Sequence, residues 1–229
     1  MNDIHLPSTQ TRWPSVFRRL GASYKPRYNA GPTQLLPIIL SSSPQGISTF
    51  FWGTSPEWSK NKTPSEKVIN VRAENLKDKP AFRRAITKHG ALFLPTVFTR
   101  GKSRKKTTIP YRFVLADKEP FAIAGLWEEF EDENGEAVHT FMMFTVPANS
   151  LVSLVHDRMP AILERDREEQ WLAADLAESA LSQALTPYSS ALMNMYTVSP
   201  RINALQNDFP SLVIPAPPAD QHGNLTLFD

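Results

Sequence analysis

His156-Asp157-Arg158 sets an imidazole, a carboxylate and a guanidinium on three consecutive residues, between the apolar runs Leu151 to Val155 and Ala161 to Leu163. Imidazole is the side chain that moves protons near neutral pH. Guanidinium stays protonated and grips phosphate through paired N–H donors. A second stretch, Asn70-Val71-Arg72-Ala73-Glu74, brings an amide, another guanidinium and another carboxylate close together. A third, Arg100-Gly101-Lys102-Ser103-Arg104-Lys105-Lys106, holds five cations in seven residues. The chemistry these types offer is proton transfer and anion binding. Thiol chemistry is excluded, because the chain contains no cysteine, and with it go disulfides, thiolate metal sites and a cysteine nucleophile.

Each stretch also has a plainer reading. His156 beside Asp157 is the pattern of a histidine satisfied within a core. Arg72 and Arg158 suit ion pairs with Glu74 or Asp157 as well as they suit phosphate. A basic run such as 100–106 is often only a solvated hairpin tip. Trp52 and Trp58 bracket a loop with Gly53 and Pro56 and offer faces on which bases stack. Trp52, after Phe50-Phe51, is equally a core aromatic, whereas Trp58 lies among Glu57, Ser59 and Lys60. No glycine-rich phosphate loop and no nucleophile elbow is present, and the histidines are too scattered for a metal site. The acidic cluster Glu128 to Glu136 flanks a hairpin and reads as a solvated face. No metal and no cofactor are expected.

Short elements must position these residues. Twenty prolines against nine glycines break the chain into brief segments joined by rigid turns. Strands are expected over Gln34 to Ser41, Thr49 to Trp52, Ala91 to Phe98, Tyr111 to Ala116, Phe121 to Phe130 and Val138 to Val146. Asn134-Gly135 between two of them is a hairpin signal. Gly101 to Thr108 reads as a polar, basic loop. Helices are expected around Ser15 to Leu20, from Asp78 to a stop at Gly90, and beyond Arg165, where Trp171, Leu172, Leu176, Ala180 and Leu181 keep a 3.6-residue period until Pro187. Strands grouped centrally with helices at both ends predict a single α+β domain, its core mostly antiparallel β, barrel-like or of two packed sheets, with flanking helices. The domain is expected over residues 1–215, with 216–229 a flexible tail.

At 229 residues, 41% apolar and 21% charged, the chain has the composition of a globular domain. A net charge of +2 requires any affinity for nucleic acid to come from a local basic patch. No run approaches the ~20 apolar residues of a membrane helix, and Met1-Asn2-Asp3-Ile4-His5 lacks the apolar core of a signal peptide. The expectation is a cytoplasmic protein without membrane contact.

Six blocks, in order, carry a resemblance. They are Arg27-Tyr28-Asn29-Ala30-Gly31-Pro32-Thr33; Trp52-Gly53-Thr54-Ser55-Pro56-Glu57-Trp58; Asn70 to Glu74 with Lys79-Pro80-Ala81-Phe82-Arg83; Phe121 to Glu128; Ala148-Asn149 with His156 to Pro160; and Val198-Ser199-Pro200-Arg201-Ile202-Asn203 with Asn207-Asp208. Together they resemble the SOS response-associated peptidase (SRAP) family, whose members sense abasic sites in single-stranded DNA. The resemblance implies that His156 and Asn70 match positions that contact or polarise the abasic sugar. It also implies that Arg72 and Arg158 match positions near DNA phosphates. With Trp58, Trp52, Lys102, Arg104, Lys105 and Lys106, these make up the expected DNA-binding set, and His156, Asn70 and Arg100 are expected to line one concave surface.

Two positions depart from the family pattern. The family's cysteine after the initiator methionine condenses with the abasic aldehyde, its amine forming an imine and its thiolate closing a thiazolidine ring. This chain has Asn2 there. The gapless match of Leu92 to Gly101 puts Arg100 where the family has glutamate, and a guanidinium cannot take over a carboxylate's proton transfers. The resemblance therefore implies a pseudoenzyme that binds single-stranded or abasic DNA without crosslinking. One alternative is a residual abasic-site lyase, in which the Met1 α-amine, with a pKa of ~7.7–8, forms an imine and His156 assists. Another is a protein-interaction module without DNA binding.

Overall fold

In a computed structural model, residues 26–53, 69–76, 86, 88–104, 107–132, 134–173, 181 and 183–226 are described. Among the described residues ten strands form two sheets. They are β1 (Leu35–Leu40), β2 (Ser43–Trp52), β3 (Asn70–Arg72), β4 (Gly90–Phe93), β5 (Phe98–Arg104), β6 (Thr107–Leu115), β7 (Ile123–Glu131), β8 (Ala137–Pro147), β9 (Arg158–Pro160) and β10 (Met193–Thr197). The larger sheet runs β2-β1-β4-β7-β8-β3, with β9 also on β8, and the smaller runs β10-β6-β5. β2 also meets β8 in parallel at Phe51 and Trp52. The sheet thus curls on itself through two residue pairs without becoming a closed barrel. A short helix, α1 (Glu168–Leu172), packs on β4, where the Trp171 indole donates to the Ala91 carbonyl at 3.1 Å. The α+β class with a mainly antiparallel core is as the sequence predicts, in its two-sheet form.

Hydrophobic patterning explains the layers. All four residues of β4 are buried, as a strand enclosed between β1 and β7 with both faces covered must be. β7 begins with four buried residues and ends in a partly exposed stretch at the β7–β8 turn. In that turn Gly135 has φ +86°, the left-handed conformation that Asn-Gly supplies. Gly125 is required for a different reason. A Cβ there would stand 2.6 Å from the Met142 carbonyl oxygen. Phe98 stacks on Phe113 at 4.8 Å within the small sheet and meets Phe121, which lies two residues before β7, edge-on.

Three expectations are corrected. The run Ala91 to Phe98 is two strands in different sheets, because Pro95 has no N–H for a ladder and its carbonyl instead accepts from Phe121 N. The basic stretch from Gly101 is mostly not a loop. β5 continues to Arg104 and β6 starts at Thr107, in a ladder that pairs Gly101 with Pro110 and Arg104 with Thr107. The third concerns 216–229: through Thr226 it is tied down, with Ala216 N donating to Thr197 O, Thr226 N to Pro218 O and Thr108 N to the Gln221 side chain at 2.5 Å. Most of the two earlier helix candidates and the middle of the third lie outside the described residues, as do Asn2, Trp58, Lys105 and Lys106.

The matched blocks at the two ends of the chain meet in a clamp. Asn29 is fully buried and its amide donates to the carbonyls of Ile202, Ala204 and Asn207 at 3.0, 3.1 and 2.9 Å. The backbone N–H groups of Tyr28 and Asn29 donate to Asp208 Oδ1, and Arg27 pairs with Asp208 Oδ2 at 2.7 Å.

Candidate functional site

β8 organises the candidate residues. On one edge β3 runs parallel to it, pairing Asn70 with Met143 and Arg72 with Thr145. β9 pairs with it in antiparallel sense, Arg158 opposite Pro147 and Pro160 opposite Thr145. Between β8 and β9 the chain makes a 3-10 turn (Val152–Leu154) whose start is fixed by Asn149. The Asn149 side-chain oxygen accepts from Leu151 N and Val152 N, and its amide donates to Tyr188 O at 2.7 Å. Asparagine just ahead of a short apolar turn is a capping signal. His156 leaves this turn as β9 begins.

A guanidinium staples the two flanking strands together. Arg158 donates to both oxygens of Glu74, at 2.6 and 2.9 Å, and Nη2 also reaches the Thr145 carbonyl at 2.6 Å. The Arg158 side chain is only 15% exposed, and its charge holds the Glu74 carboxyl below the usual carboxylate range. The ion-pair reading of Arg158 is therefore realised, with Glu74 and not Asp157 as partner. Arg72 stays exposed at the end of β3 and forms no ion pair among the described residues.

His156 Nδ1 faces one donor and two acceptors. Arg158 N–H points at it from 2.9 Å, Asp157 Oδ1 lies 3.0 Å away and Arg158 O 3.2 Å away. A neutral ring with its proton on Nε2 accepts from the backbone N–H, whereas a charged ring donates to Asp157. Asn70 Oδ1 is buried without a hydrogen-bond partner. Arg100 rises from β5 two residues beyond the fully buried Phe98, and its Nε is likewise buried without a partner. Burial pushes its pKa down, and the through-space charge of Asp157 opposes that shift. The β3 segment and the His156 turn are joined by the Arg158–Glu74 pair, and Arg100 lies within the electrostatic reach of Asp157.

One expected DNA contact falls elsewhere. Trp52 is a core residue, 2% exposed, stacked on Phe93, with its indole N–H donating to Ile69 O at 3.2 Å. Its faces are not available to bases. Lys102 is exposed on β5 beyond Arg100, and Arg104 ends that strand. Thr145 gives no sign in the sequence of anchoring Arg158, because only the strand register brings the two together. Among the described residues no group of three or more histidine and acidic side chains is placed to hold a metal ion.

A family model described as SOS response associated peptidase (SRAP) matches residues 6–205. The chain belongs to the SRAP family. Abasic site processing protein YoqW of Bacillus subtilis (strain 168) is 35% identical over 193 residues, which is 83% of this chain and 86% of that protein. Abasic site processing protein HMCES of Gallus gallus is 29% identical over 226 residues, covering 84% of this chain and 67% of the relative. Among solved structures, the crystal structure of a protein from Bacteroides thetaiotaomicron superposes with a TM-score of 0.75 at 26% identity, over 90% of this chain and 91% of that one. Within this SRAP chain, the first and last matched blocks make the clamp, while the third and fifth make the Arg158–Glu74 staple and the His156 turn.

Proposed function

We propose that this SRAP chain, taken as one domain over residues 1–215, acts in the cytoplasm as a non-covalent binder of single-stranded DNA at abasic sites. In this reading Asn70, His156 and Arg100 line one groove, and Arg72, Lys102 and the rest of the basic hairpin meet the phosphates. The observation that carries it is that family membership coexists with a chain that has no cysteine. Relatives named as abasic site processing proteins support the ligand class. The unpartnered Asn70 oxygen supports a site that accepts a hydrogen bond from a sugar hydroxyl, since a buried acceptor without a donor is costly. Arginine at position 100 removes a carboxylate acid–base step from the site and leaves affinity as its output.

The test has two parts. Fluorescence anisotropy on intact and abasic single strands at two salt concentrations is expected to show binding, tighter to the abasic strand and weaker at high salt. A denaturing gel of protein and abasic strand is expected to show no adduct, because an imine without a thiol to close on stays open to hydrolysis. No binding at low salt overturns the reading. So does an adduct that survives denaturation without reductant. An adduct trapped only by borohydride would reveal imine chemistry at the α-amine and replace the non-enzymatic part of the proposal with a lyase.

A further inference from the structure

β6 outruns the strand beside it. β10 pairs with β6 only between Leu115 and Tyr111, whereas β6 begins at Thr107, next to the turn of the basic hairpin. Backbone groups two residues apart in a strand point to the same edge. On the edge of β6 away from β5, two groups from later in the chain take the place of a neighbouring strand. Val198 N donates to the Pro110 carbonyl at 3.2 Å, and Thr108 N donates to Oε1 of Gln221 at 2.5 Å. A stiff turn brings Gln221 there. The chain passes β10 at Thr197, whose carbonyl accepts from Ala216 N and whose hydroxyl donates to the Ala216 carbonyl. It then folds back at 220–224, where Ala219 bridges to Leu225 and the buried Asp220 carboxylate accepts from His222 N, Asn224 N and the Asn224 amide. The Gln221 amide nitrogen lies 3.2 Å from His222 Nε2. With that nitrogen unprotonated, the amide donates to it and its oxygen is left facing Thr108. All of this lies beyond residue 205, where the match to the family ends.

We infer that Gln221 is a positioning residue for DNA, which holds the basic hairpin so that the cationic strand β5 meets the phosphates in one orientation. The inference rests on the proposed DNA binding and adds the C-terminal turn to the parts that serve it. Thr108 pairs with Ser103, which lies between Lys102 and Arg104. A tie on Thr108 is therefore a tie on the middle of the cationic stretch. Two strands without a third beside them hold their shape poorly. Fixing them in advance removes part of the ordering cost that phosphate binding would otherwise carry. Gln221 has no charge of its own, so its influence on DNA passes through the strand.

Two measurements test this. In hydrogen exchange on the protein alone, the Thr108 amide is expected to lose its protection in Gln221→Ala and to keep it in Gln221→Glu, which retains an acceptor oxygen. In anisotropy on an intact single strand over a range of salt, Gln221→Ala is expected to weaken binding about fivefold. It is also expected to lower the log–log salt slope by up to about 0.7, one phosphate's share for a single strand. A neutral side chain that touched the DNA itself would change affinity and leave that slope alone. With Lys102, Arg104, Lys105 and Lys106 all changed to alanine, Gln221→Ala is expected to have no further effect, since the cations it positions are gone. If Thr108 stays protected in Gln221→Ala, if affinity or slope is that of the parent, or if the loss is the same in the alanine background, the inference fails while the DNA-binding proposal stands. A parent that does not bind overturns both.

Discussion

Arg158 meets Glu74 across 84 residues of sequence and holds the Thr145 carbonyl at the same time. Arg158→Ala removes a well-buried donor set and leaves that carbonyl short of a partner, so it is expected to cost about 1–3 kcal/mol in urea unfolding. Glu74 is half exposed, and Glu74→Gln should change stability at neutral pH by no more than about 1 kcal/mol. The pair also sets an acid response. A carboxyl held below its ordinary range stabilises the fold above the unfolded-state value, and that stability is lost as pH falls through the folded-state value. Urea midpoints between about pH 5 and pH 3 should therefore fall less steeply in Glu74→Gln than in the parent, and identical profiles would exclude the pair as a source of acid sensitivity. At this scale the sequence is readable in part. That Arg158 sits in an ion pair is one of two readings it allows. Which carboxylate it takes depends on strand register, which local spacing does not encode.

The basic hairpin carries the prediction at the scale of elements. Positions 100 and 102 alternate along β5, the period that places residues on one face of a strand. That alternation is visible in the sequence, but the density of charge masks it and the stretch reads as loop. If the hairpin meets phosphates, replacing Lys102, Arg104, Lys105 and Lys106 with alanine should weaken binding to every single-stranded sequence alike. The salt slope should flatten by about 0.7 for each phosphate that is no longer neutralised. Stability should move by no more than about 0.5 kcal/mol per residue. An unchanged slope and affinity would leave the hairpin a solvated turn. Elsewhere, long apolar runs with a clear turn, such as β7 and β8 around Asn134-Gly135, are legible. β3 and β9, three residues each, are not, because so short a strand has no period of its own and is defined only by the β8 edge it joins.

Over the whole molecule the clamp at Asn29 decides how the two ends of the fold are held. Asn29→Ala leaves three buried or part-buried carbonyls without their donor and is expected to cost about 3 kcal/mol in equilibrium unfolding. The hydrogen bond between Asn29 and Asp208 spans 179 residues. Closing a loop of that length from an unfolded chain opposes association by on the order of 4–5 kcal/mol, more than a few hydrogen bonds return before the sheets exist. The hairpins, with their short loops, are placed to form first, and the clamp to close on sheets already made. Its strength then acts on the rate of leaving the native state, not on the rate of reaching it. In stopped-flow experiments Asn29→Ala should refold as fast as the parent and unfold faster by nearly the whole equilibrium loss. A refolding rate that drops in step would instead put the clamp in the folding nucleus. In the proposed role on abasic DNA, a lock that closes late and opens slowly would set the working lifetime of the folded chain.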